Sequence, residues 1–139
     1  MAGETDLNTL LEDLRPSLAP DTYVFCTVEG GRYGDLAHTA PLASVTEREG
    51  LTLVLTQAQA DQADLTYEGT FRCLTLEVHS SLEAVGLTAA VADVLGRHGI
   101  SANVLAGYHH DHVLVPADRA DQALALLGSP ELNPSSGAG

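Results

Sequence analysis

The chain has 139 residues, 45% of them hydrophobic, enough to bury one continuous core shared by two small halves that would each be marginal alone. Six Lys and Arg against nineteen Asp and Glu give a net charge of −13, so a polyanion is repelled, and direct nucleic-acid binding is excluded. No apolar run approaches the roughly 18 residues needed to cross a bilayer. The acidic start, Met1 to Asp13, has neither the basic region nor the apolar stretch of a signal peptide, so a cytoplasmic protein is expected.

In chain order, Leu7, Leu10, Leu11 and Leu14 mark a short amphipathic helix, begun by Thr5 or Asp6, stopped before Pro16 and suited to docking. Tyr23 to Val28 reads as a strand. Glu29 to Pro41 is a Gly-rich, polar stretch standing where a helix is expected. Leu42 to Glu49 and Leu51 to Leu55 form a hairpin turning at Glu49 and Gly50. Thr56 with Gln59 makes a capping box for the next helix. Leu74, Leu76 and Val78 alternate with polar residues as in a half-buried strand. A helix then carries Leu87, Val91, Val94, Leu95 and His98 on one face and stops at Gly99. Ile100 to Gly107 and Val113 to Val115 form a second hairpin through the polar run Tyr108 to His112. Asp118 is placed to cap a final helix with Ala120, Ala123, Leu124 and Leu127 in a stripe. The Pro-, Ser- and Gly-rich residues 129–139 read as a disordered tail.

An internal repeat divides the chain. LVLTQAQADQA (Leu53 to Ala63) and VLVPADRADQA (Val113 to Ala123) each pass from a short apolar strand into an Ala-rich helix at the same place. The run VGLTAAVADVLGRHGIS, Val85 to Ser101, resembles the glycine, helix, His-Gly-Ile passage of the ACT domain. That resemblance implies a βαββαβ ferredoxin-like module that binds amino acids. The whole chain resembles small stand-alone bacterial proteins made of two ACT-like halves. The fold expected is therefore α+β, tandem ferredoxin-like ACT domains with antiparallel sheets. Residues 1–66 form a degenerate half lacking its first helix, and 67–128 form a complete domain.

Two constellations carry chemistry. The first is the loop His79 to Gly86. A loop entering a helix presents free N–H groups and the positive end of the helix dipole, which suit a carboxylate. Ser80 and Ser81 add hydroxyls, and Gly86 permits close backbone approach. The bland alternative is a capping box of Ser80 and Glu83 with Gly86 as a bend. The resemblance implies ligand binding by His79, Ser80, Ser81, Val85, Gly86 and Leu87, with Asn103 on the next strand contacting the effector across an interface.

The second is Tyr108, His109, His110, Asp111, His112, metal ligands by type, which His79 would join if strand ends are adjacent. Adjacent strand residues face opposite ways, so His110 and His112 can share a side and His109 cannot. A polar hairpin turn explains the run equally well. His38 reads as loop surface and His98 as a helix C-terminus. Cys26 and Cys73 lie on strands and read as buried, reduced thiols. With no phosphate loop and no Gly-x-Ser-x-Gly elbow, no cofactor and no catalytic residue is expected. The expectation is a non-catalytic sensor of an amino acid or similar small molecule, a homodimer or docked on a regulated enzyme. The rivals are a metal-dependent enzyme using His109 to His112 and a purely structural partner.

Overall fold

A computed structural model describes residues 7–78 and 86–132. The described residues fall into two compact units, one made of 7–19 and 72–132, the other of Pro20–Phe71.

The first unit holds helix α1 (Leu7–Asp13), the opening residues of strand β1 (Pro16–Glu29), β4 (Phe71–Leu76), α3 (Leu87–Arg97), β5 (Asn103–Ala106), β6 (Asp111–Pro116) and α4 (Ala120–Leu127). Its strands lie in the order β1-β4-β6-β5. Leu74 and Leu76 of β4 and Val113 and Val115 of β6 face the helices, which answer with Val91, Val94, Leu95, Ala123 and Leu127. Leu87 is 4% exposed and Leu124 is only half-buried, Leu126 taking more of the inward stripe. α1 packs Leu11 against this core, and Leu14, just past the end of the helix, is buried within it. Asp118 does not cap α4. A 3₁₀ turn, Ala117–Arg119, continues the helix backward past it, and Arg119 takes the cap position without a side-chain bond. Pro130–Leu132 form another 3₁₀ turn that seats Leu132 in the core, so the tail expected from residue 129 is structured to 132, while 133–139 lie outside the described residues.

The second unit holds the remainder of β1, β2 (Ala43–Glu47), β3 (Gly50–Thr56) and α2 (Gln57–Gln62), with strand order β2-β3-β1. Val24, Cys26, Leu51, Leu53, Leu55 and Ala60 form its core. The other sheet face carries Phe25, in an edge-on contact with Phe71 at 5.1 Å between ring centres. Thr56 caps α2 as its sequence promises, its Oγ1 accepting from Gln59 N at 3.2 Å. The β2–β3 hairpin turns at Arg48 and Glu49, one residue before the expected place, because Gly50 already pairs with Glu47. Between β1 and β2 the only helical piece is a 3₁₀ turn, Ala37–Thr39.

The repeat survives in the burial. Leu53, Val54 and Leu55 are buried, as are Val113, Leu114 and Val115, and the chain enters a helical segment at Gln57 in one copy and Ala117 in the other. Ala60 and Ala120 are both buried, with the Asp-Gln that follows exposed in both copies. No helix among the described residues is long and apolar enough to cross a membrane.

Candidate functional site

The best-defined part of the expected ligand loop is its end. Gly86 is the residue before the first turn of α3, at φ 100° and ψ −18°, and its carbonyl accepts from Ala90 N at 2.8 Å. A glycine there brings no side chain of its own to accept from the first-turn N–H groups of the 11-residue helix. A Cβ on Gly86 would sit 2.9 Å from Leu7 Cδ2. The close approach that glycine allows is thus used by α1. Leu87 turns its side chain into the core. Asn103, exposed at the start of β5, donates from Nδ2 to the Leu114 carbonyl at 3.3 Å. His79, Ser80, Ser81 and Val85 lie outside the described residues.

The histidine run is divided between turn and strand. Ala106 pairs with Asp111, which leaves Gly107 to His110 as the turn, closed by Gly107 N donating to His110 O at 3.0 Å. Asp111 and His112, expected in the turn, are the first residues of β6. His112 Nδ1 lies 3.0 Å from Thr75 Oγ1 on β4. Burial pushes the Asp111 carboxyl up, against the opposing pull of His112 and His110. His110 Nδ1 is buried with no hydrogen-bond partner among the described residues. Tyr108 is exposed, its ring edge-on to His109 at 5.0 Å. Among the described residues no group of three or more His, Cys, Asp or Glu is arranged to hold a metal ion; His79, the third member of the expected set, is not one of them. His98 ends α3 as expected, its Nε2 3.1 Å from Glu131 Oε1.

Sequence reasoning had no view of the second unit's surface beyond its missing helix. A cleft of about 300 Å³ opens there, between the segment from Tyr33 to Ser44 and the Leu51 and Leu53 positions of β3. A more open one of about 570 Å³ involves Phe25, Thr27, Thr52 and Tyr67. The Tyr67 hydroxyl donates to Asp61 Oδ1 at 2.7 Å and accepts from Gln57 Nε2 at 3.1 Å, and the Asp61 bond raises its pKa. Both thiols are free and buried; burial raises them, with Asp61 adding to the effect at Cys26 and a Thr75 hydrogen bond opposing it at Cys73.

Two models of the ACT domain match in tandem, over residues 2–72 and 68–129. A solved protein of unknown function from Vibrio cholerae, described as a possible transport protein, is 52% identical, with 88% of this chain and 93% of that one covered at a TM-score of 0.80. A protein from Agrobacterium tumefaciens shares the fold at 16% identity, covering 83% and 87% of the two chains with a TM-score of 0.69. So does the ligand-free regulatory subunit of aspartate kinase from Thermus thermophilus, at 10% identity, 81% and 94% coverage and a TM-score of 0.57. A search of curated proteins found no match. With both halves matched in order, the chain belongs to the ACT domain family.

Proposed function

We propose that the protein senses a free amino acid or a closely similar small molecule and transmits occupancy by contact, as a homodimer or docked on an enzyme it regulates. The observation that carries this reading is the start of α3: a glycine cap at positive φ offers no side chain of its own to the first-turn N–H groups, and no side-chain acceptor for them is seen among the described residues. An amino-acid carboxylate satisfies such groups and gains from the helix dipole. Ser80, Ser81 and His79 would add hydrogen bonds from the preceding loop, and Asn103 would reach the effector across an interface with a second copy. The ammonium group then faces a carboxylate or carbonyl of that second copy.

The test is a thermal-shift series on the full chain with each of the twenty amino acids. A ligand that binds only the folded state adds about 2.7 kcal/mol at a hundredfold excess over its Kd, which raises the melting temperature in a concentration-dependent way. One or a few amino acids should do so. No shift with any of them at millimolar concentration rejects the reading. Sedimentation of the same sample should give a dimer, and a monomer at all concentrations rejects the homodimer.

A further inference from the structure

A βαββαβ half places a helix between its first two strands, lying across the sheet. In the second unit the chain from Gly30 to Leu42 makes only the 3₁₀ turn at Ala37–Thr39. This segment has a defined shape. Leu36 and Ala40, on either side of the turn, are both left-handed, at φ 58° and 50°. Thr39 is 2% exposed, its hydroxyl donating to the Leu36 carbonyl at 2.7 Å. The Asp35 carboxylate accepts from Arg32 N at 2.9 Å, which fixes the side chain on its own loop. Left-handed non-glycine residues cost about 1–3 kcal/mol each and persist where the surroundings impose them, commonly at ligand clamps.

The wall so formed stands beside the cleft of about 300 Å³, at the lower end of the range of roughly 300–1,000 Å³ for ligand sites. Leu51 and Leu53 make its floor, and Ser44, directly opposite Leu53 in the β2–β3 ladder, supplies a hydroxyl from the side. Ala37 is on the loop wall, with Asp35 and Tyr33 at the mouth. Asp35 is the one charged residue of the lining. A carboxylate ligand finds no cationic side chain there, whereas a cation finds a carboxylate, a hydroxyl and an aromatic ring able to add cation–π attraction. The net charge of −13 attracts the same sign of ligand.

We propose that this cleft is a second small-molecule site, specific for a primary ammonium group carried on a short aliphatic body. It is independent of the α3 site, lying in the other unit and selecting a cation where α3 selects a carboxylate. The ammonium group sits between Asp35 and Ser44 beneath the Tyr33 ring, and the aliphatic body lies on Leu51 and Leu53.

The experiment is a titration of the ¹⁵N-labelled full chain, followed by amide shifts, with n-butylammonium chloride and in parallel with 2-aminobutyrate and butyrate. Butylammonium should move the amides of residues 33–44 and 51–53 at millimolar concentration, with the zwitterion weaker and butyrate without effect. Asp35→Asn, whose side-chain oxygen still accepts from Arg32 N, should weaken binding roughly tenfold. Ala37→Phe should abolish it by filling the cleft. If Ala37→Phe loses the wild-type circular dichroism, Asp35→Asn decides alone. The proposal is overturned by an absence of shifts in these residues, by shifts confined to residues 86–90, by equal response to 2-aminobutyrate, or by unchanged affinity in Asp35→Asn.

Discussion

Two alanine substitutions at either end of α3 should move stability in opposite directions. At Gly86 the backbone sits at φ 100°, where an L side chain costs about 1–3 kcal/mol, and the new methyl would stand 2.9 Å from Leu7 Cδ2. Leu7 is the far end of a flexible side chain and can yield, losing part of its packing at a cost of about 1 kcal/mol. Gly86→Ala should therefore destabilise by about 2–4 kcal/mol. Gly96 lies inside the same helix with nothing within 4 Å of an added Cβ, and Gly96→Ala should stabilise by about 0.5–1 kcal/mol through the unfolded chain's lost freedom. Urea titration followed by circular dichroism reads both. With a slope of about 1–3 kcal/mol per molar for a small protein, Gly86→Ala lowers the midpoint by roughly 1–2 M and Gly96→Ala raises it by a few tenths. The double substitution Leu7→Ala with Gly86→Ala should cost less than the sum of the singles, because the shortened side chain no longer meets the methyl. An unchanged midpoint for Gly86→Ala, or the same sign for both glycines, refutes the assigned backbone and the α1 contact.

In the second unit, a Cβ at Gly50 would collide with the Val28 carbonyl oxygen and lie 2.9 Å from Gly30 N, backbone atoms that cannot swing aside. Gly50→Ala should cost about 4 kcal/mol or more, seen as a broad loss of the thermal transition, and a wild-type melt would contradict it. Cys26 and Cys73, each 3% exposed with a raised pKa, should react with a disulfide reagent only after denaturant is added; fast reaction of the native protein would show that the strands open. Burial raises Asp111 above its ordinary 3.8, so the folded state holds this proton more tightly than the unfolded one. Stability from this group is lost as pH rises from the unfolded to the folded value. Asp111→Asn should be more stable than wild type at neutral pH, with the gap closing in acid below the ordinary value, and a gap that widens in acid would reverse the sign of the argument.

What the sequence made legible was periodicity, and what it hid was close approach. The stripe of Leu87, Val91 and Leu95 and the Val113 to Val115 run report burial directly, because nothing but a helix face or a buried strand explains their spacing. Gly50 and Gly86 carried no such rhythm. Gly50 read as a turn residue, yet its turn lies at Arg48 and Glu49, and glycine is required because β1 passes against its Cα. Gly86 read as room for a ligand, and α1 occupies the direction its Cβ would take. A sequence shows that space is needed at a glycine, never which distant residue takes it.

The start of the first strand was hidden as well. The strand was expected only from Tyr23, with Pro16 read as the stop of the first helix, yet β1 begins at Pro16. Glu77 N donates to Arg15 O at 2.9 Å, so alternation directs the odd-numbered residues to β4 and leaves the Pro16 nitrogen pointing away from that ladder. Pro20 precedes the first β1–β3 pair, Tyr23 with Thr56. Neither ring removes a bond the sheet uses, so the strand tolerates both. The missing helix of the first half was legible as an absence of pattern in Glu29 to Pro41, but an absence of pattern does not tell a collapsed linker from a shaped wall. The left-handed pair Leu36 and Ala40 and the buried Thr39 hydroxyl make that distinction, and they turn a gap in the repeat into the cleft that Asp35 guards.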